Sequence, residues 1–120
     1  MSTNDWSDFI EETDARMSAL RTAMPDVAKA FGRLAGAATV KGELDTKTKE
    51  LIALAIGIAA RCDGCLAYHA RAAAKFGASR EEIIETIGMA VYMGGGPSMI
   101  YGAEALSAYD ALAPTIAKTD

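Results

Sequence analysis

The ten-residue run Leu51 to Ala60, LIALAIGIAA, constrains the fold of this chain more than any other feature. It is far too short to span a bilayer, which takes about 20 apolar residues as a helix. Asp45 or Thr46 can cap a helix start just before it, and charge is confined to Lys47, Lys49 and Glu50 at the near end. A helix apolar on every side belongs in a core, so this one is expected to be buried.

The rest of the chain divides into helices by the same kind of punctuation. Aromatic residues make up only 7% while Ala is plentiful, which favours closely packed helices over sheets. A first helix is expected from roughly Asp5 to Met24, with Trp6, Phe9, Ile10, Met17 and Leu20 at near-helical intervals. Pro25 suits a first helical position and opens a second amphipathic segment through Val27, Phe31 and Leu34, fading between Gly36 and Gly42. The apolar run is the third helix. Arg61-Cys62-Asp63-Gly64 breaks it, and a fourth runs through His69 and Phe76 to a stop at Gly77. Ser79 with Glu82 makes a capping box for a fifth through Ile83, Ile87 and Val91. Gly94-Gly95-Gly96-Pro97 ends that helix, and Pro97 opens a sixth through Ile100, Leu106 and Tyr109 that stops near Pro114. The expectation is an all-α bundle of about six helices, one domain over residues 1–120.

Charge narrows the partners. A net charge of −4 carries no basic stripe for nucleic acid. The start, MSTNDWSDFIEETDARM, places acids where a secretory leader needs a positive end and an apolar run, so a cytoplasmic location with no membrane partner is expected. Much apolar helix in 120 residues favours symmetric self-association. The six methionines read as adaptable core and interface filler, and Tyr68 and Tyr101 as core or interface residues rather than site residues. The glycine run reads as a tight turn; no strand precedes it and no Gly-Lys-Ser/Thr follows.

Chemistry concentrates at the start of the fourth helix. Cys62 and Cys65, three apart, can meet on one face, and C-x-x-C in a reducing compartment points to redox or metal chemistry. The helix N-terminus favours a thiolate. His69, the only histidine, lies four residues past Cys65 and can take its proton. If the chain reverses near Ala60 to Cys62, Glu50 comes level with His69 and can orient the ring. Other readings of the same residues are two inert core thiols, or a zinc site in which C-x-x-C-x-x-x-H supplies three ligands and Glu50 a fourth.

Glu50, Cys62, Cys65 and His69 at these intervals, with RCDGCLAYHARAAAKFGAS and YMGGGPSMIYGAEAL around and after them, resemble the motif of the alkylhydroperoxidase D (AhpD)-like family of the carboxymuconolactone decarboxylase superfamily, over roughly Leu44 to Leu106. Carboxymuconolactone decarboxylases proper lack the C-x-x-C pair, so the superfamily name is no guide to the activity. The resemblance implies an all-α fold, with Cys62 and Cys65 as a redox pair and His69 and Glu50 as a proton relay. It also implies thiol-dependent reduction of hydroperoxides, assembly as a homotrimer or homohexamer, and a dithiol reductant, lipoyl-type or thioredoxin-like, as partner. No metal and no bound organic cofactor are expected. A disulfide reductase or thiol sensor, and a non-catalytic zinc-stabilised binding module, are the competing functions.

Overall fold

A computed structural model describes residues 3–116 of the chain. They form six helices: α1 Thr3–Ala23, α2 Pro25–Thr39, α3 Thr46–Ala59, α4 Asp63–Lys75, α5 Arg80–Gly94 and α6 Gly96–Leu112, with a 3-10 turn at Ala113–Thr115. The punctuation acts as expected. Pro25 stands at the head of α2, and Asp45 caps α3 by accepting the Thr48 N–H at 2.8 Å. Ser79 and Glu82 close a full capping box on α5. Gly77 and Gly95, at φ +92° and +75°, take the left-handed turns that end α4 and α5, where a Cβ would be strained.

α3 and α4 make the most extensive pairing, and α5, α6 and the first half of α1 close around them. Leu54 and Ile58 of α3, Leu66 and Ala70 of α4, Ile83 of α5 and Ala105 of α6 are wholly inaccessible. Small residues let the helices approach closely: a Cβ at Gly102 of α6 would lie 2.6 Å from Ile87 Cγ2 of α5. The buried aromatics satisfy their polar ends. Trp6 Nε1 donates to Ser107 Oγ at 3.0 Å, and the Tyr109 hydroxyl donates to the Ala78 carbonyl at 2.8 Å. Among the described residues no helix is long and apolar enough to cross a membrane.

Two expectations need correction. α3 is not buried on every side: Glu50, Leu54, Gly57 and Ile58 form its buried stripe, while Ile52 and Ile56 are 45% and 62% exposed. The chain's own helices cover one side of α3 and leave the other open. The methionines are not core filler, since Met17, Met24, Met89, Met93 and Met99 are all exposed; Met1 lies outside the described residues. α2 is amphipathic as its pattern predicts, and none of its residues is buried. With Val27, Phe31 and Leu34 each about 60% exposed, it extends from the bundle instead of packing into it.

Candidate functional site

The site is assembled where α3 hands over to α4. Arg61 adopts φ 59°, a left-handed conformation, and around it the Arg61 and Cys62 N–H groups fold back onto the carbonyls of Ile58 and Gly57. This hydrogen-bonding pattern terminates a helix sharply and turns the chain. Cys62 follows as the N-cap of α4, in extended conformation. Its Sγ receives the backbone N–H of Cys65 at 3.1 Å, so sulfur performs the capping task usually given to Ser or Asp.

One helical turn brings Cys65 back over Cys62. The two are joined as a disulfide across a Cα–Cα distance of 5.2 Å, and both are half-buried. Gly57 makes room for this on α3. A Cβ there would lie 3.0 Å from Cys65 Cβ, so glycine lets α3 run this close beneath the motif without displacing the cysteine. A thiolate formed at Cys62 would face the open N–H groups and positive end of α4. His69 is one further turn along, on the same face as Cys65.

The reversal at Ala60 to Cys62 sets α3 antiparallel to α4 and brings Glu50 to His69. Glu50 Oε1 lies 2.7 Å from His69 Nδ1. Glu50 is buried, with 7% of its surface exposed, while the histidine side chain keeps 34% of its own. A carboxylate at Nδ1 accepts a hydrogen bond from the ring N–H, which keeps the proton on Nδ1 and leaves Nε2 as the free base. Thus all four residues predicted from the sequence fall in one place: the disulfide at the head of α4, the ring one turn on, and the carboxylate behind the ring. With the sulfurs joined, no three His, Cys, Asp or Glu side chains among the described residues are arranged to hold a metal ion.

Beside this line lies a cavity of about 610 Å³, lined by Glu50 and His69, by Tyr68, Arg71, Ala72 and Lys75 of α4 and Phe76 at its C-cap, and by Thr115 and Ile116. Tyr68, which the sequence pattern assigns to the core or an interface, packs half-buried against the core and also lines this cavity. Its hydroxyl donates to Asp14 of α1, and burial followed by that bond raises its pKa above the ordinary 10.0. Arg71 and Lys75 are cavity residues that the sequence pattern does not single out. The one signal for them is two cations four residues apart on one helix face, an arrangement that does not help a helix form.

A third carboxyl stands near the motif. Glu104 of α6 is half-buried, and desolvation, with Asp63 at the first position of α4 adding its negative charge, raises its pKa above the ordinary 4.5.

Comparison with known proteins bears on the family and the fold. The model of the carboxymuconolactone decarboxylase family matches residues 25–108. An uncharacterised protein of Cupriavidus necator is 36% identical over 110 residues, which are 92% of this chain and 97% of that one. The crystal structure of a carboxymuconolactone decarboxylase family protein from Legionella pneumophila, in its apo form, superposes with a TM-score of 0.89 at 45% identity, covering 92% of this chain and 98% of the other. A family member from Thermotoga maritima, for which an involvement in antioxidative response has been suggested, superposes with a TM-score of 0.79 at 30% identity over 88% of this chain and 91% of its own.

Proposed function

The chain belongs to the carboxymuconolactone decarboxylase family, the AhpD-like superfamily, and carries a C-x-x-C pair; on that footing we propose that it is a thiol-dependent hydroperoxide reductase. The observation that supports this reading best is the line of groups from disulfide to carboxylate: Cys62 and Cys65 at the head of α4, His69 one turn on, and buried Glu50 at 2.7 Å from Nδ1. Further support comes from the Thermotoga relative, through the antioxidative role suggested for it.

In the proposed cycle His69 takes the proton of Cys65, and Glu50 stabilises the imidazolium. The Cys65 thiolate attacks one oxygen of ROOH. An S–O bond forms, the O–O bond breaks, and the alkoxide leaves as ROH with the proton from His69. Cys65 is now a sulfenic acid, oxidised by two electrons. Cys62, whose thiolate is favoured by the helix terminus and by the Cys65 N–H aimed at its sulfur, displaces the sulfenic oxygen. A disulfide forms, and the hydroxide leaves as water with the proton that Cys62 gave up. A dithiol reductant, lipoyl-type or thioredoxin-like, then attacks Cys62, releases Cys65 as the thiolate beside His69, and closes its own disulfide.

The same reading places the protein in the cytoplasm as a homotrimer or homohexamer. Self-association is supported by the apolar surface of α1 and α2, where Met17, Leu20, Met24, Val27, Phe31 and Leu34 are exposed.

The test is stoichiometric. Fully reduced protein is mixed with an alkyl hydroperoxide, and free thiols are counted with time in the wild type and in His69→Ala. Rapid loss of both thiols to one intramolecular disulfide, slowed roughly 100-fold or more by the substitution, is the expected result. Thiols that react no faster than a free thiol would sink the peroxidase reading and leave disulfide exchange as the activity to assay.

A further inference from the structure

The cavity beside His69 holds more than the reduction of a small peroxide requires. α4 and its C-cap contribute a stripe in which His69, Ala72 and Phe76 follow one another at intervals of three and four, with Tyr68, Arg71 and Lys75 along its edge; Cys65 stands one turn before His69, just outside this lining. Phe76, Ala72 and Ile116 make part of the wall apolar. At about 610 Å³ the cavity, open to solvent, is large enough to seat a ligand of moderate size.

Two cations stand on this wall, and no anionic partner meets either of them among the described residues. The Arg71 guanidinium lies 5.3 Å from the centre of the Tyr68 ring, and Lys75 Nζ lies 5.7 Å from the centre of the Phe76 ring. Contact with a ring face leaves the N–H donors of a cation free to bind an anion. Among the described residues neither forms an ion pair. The carboxylates close by are engaged elsewhere: Glu50 holds His69, and Asp14 accepts from the Tyr68 hydroxyl. Lys75 stands in the last turn of α4, where a cation offsets the helix dipole, so its charge has a structural use. Arg71, a turn earlier, has the Tyr68 ring face as its contact and no carboxylate among the described residues, and at i,i+4 the two cations repel one another.

From these observations we infer that the cavity binds the carboxylate of an amphipathic organic acid, with Arg71 and Lys75 on the carboxylate and the apolar wall on the chain. The inference rests on the hydroperoxide reading for the identity of that acid: an organic hydroperoxide bearing a carboxylate, such as a fatty-acid hydroperoxide, with its O–O group toward His69 and Cys65. The chemistry is that of the cycle above; the carboxylate takes no part in it and serves to position the substrate. Guanidinium suits the task because its planar fork matches two carboxylate oxygens.

The experiment compares linoleic acid hydroperoxide with its methyl ester as oxidants of the reduced protein. The acid is expected to react at least tenfold faster than the ester. In Arg71→Gln/Lys75→Gln the acid-to-ester ratio should fall close to one, whereas Lys29→Gln on the distant α2 leaves it unchanged. Equal rates in the wild type, or a ratio that survives the double substitution, would overturn the inference. A separate arm measures calorimetric binding of octanoate and of octan-1-ol to the oxidised protein. If neither hydroperoxide consumes thiols, the peroxidase reading fails, and octanoate alone decides the anion site: binding that the double variant loses sustains it, and octanoate binding no tighter than octanol refutes it. Circular dichroism melts of the variants verify that they are folded.

Discussion

Glu50 Oε1 and His69 Nδ1 meet at 2.7 Å across the α3–α4 pair, nineteen residues apart in sequence, with the carboxylate buried and the ring partly open to solvent. This geometry separates two services a carboxylate can give, orienting the ring and stabilising its positive form. Glu50→Gln retains an acceptor for Nδ1–H and removes the charge. Thiol oxidation by hydroperoxide should slow on the order of 100-fold, while nitrogen NMR still finds the proton on Nδ1. An unchanged rate would show that the charge does no work in the reaction.

Gly57 is an interior helix position at which Ala would ordinarily be stabilising by roughly 1 kcal/mol. Here the sign should reverse, because the added Cβ would lie 3.0 Å from Cys65 Cβ. Gly57→Ala is expected to destabilise the protein by about 1–3 kcal/mol, the usual range for overpacking, in denaturant unfolding of the oxidised form. A stabilised variant would mean that α3 and α4 can move apart freely at the motif.

Arg61 holds φ 59° without being glycine. The left-handed region disfavours a residue with a Cβ, and glycine enters it freely, although glycine also loses more chain entropy on folding. Arg61→Gly should therefore stabilise the fold modestly, by roughly 0.5–1 kcal/mol in urea titration. A loss of stability would reveal that the arginine side chain makes interactions worth more than the strain.

Two glutamates should respond to acid in opposite ways. The Lys47 ammonium, at 2.9 Å, and the Ser79 N–H hold the Glu82 carboxyl below the ordinary 4.5. A depressed folded value means stability that is present above 4.5 and lost as pH falls through that folded value. Glu82→Gln should lower Tm at pH 7 by about 2–4 °C, and the gap should close in acid. For Glu104, desolvation followed by the charge of Asp63 raises the folded value above 4.5, so its stabilising protonated form is complete below 4.5 and lost as pH rises through the raised value. Glu104→Gln should raise Tm at pH 7 and leave it unchanged in acid. Gaps that fail to vary with pH would contradict both assignments.

Local chemistry makes much of this molecule legible in its amino-acid sequence. Pro25, Asp45, the Ser79–Glu82 box, Gly77 and the Gly94 to Gly96 turn act through groups only a few residues away, so each helix boundary can be read from its own neighbourhood. The spacing of Cys62, Cys65 and His69 is likewise a property of one helix, and three- and four-residue intervals place such groups on one face whatever surrounds them. Their pairing with Glu50 depends on a single reversal, and a chain that turns within Ala60 to Cys62 leaves little freedom as to what lies opposite.

Burial and the cavity belong to another scale. An apolar residue carries the same preference wherever it stands, and its environment is decided by how many helices arrive to cover it; hence Ile56 and Phe31 are exposed while Leu54 is sealed. The space beside His69 exists because the 3-10 turn after α6 comes to lie near the far end of α4, bringing Thr115 and Ile116 opposite Arg71 and Lys75. Those contacts join residues about forty apart, and no local pattern encodes them. The amino-acid sequence determined the helices and the order of the reacting groups along them; the packing of the chain on itself decided which surfaces those helices left open, and so what the reacting groups can meet.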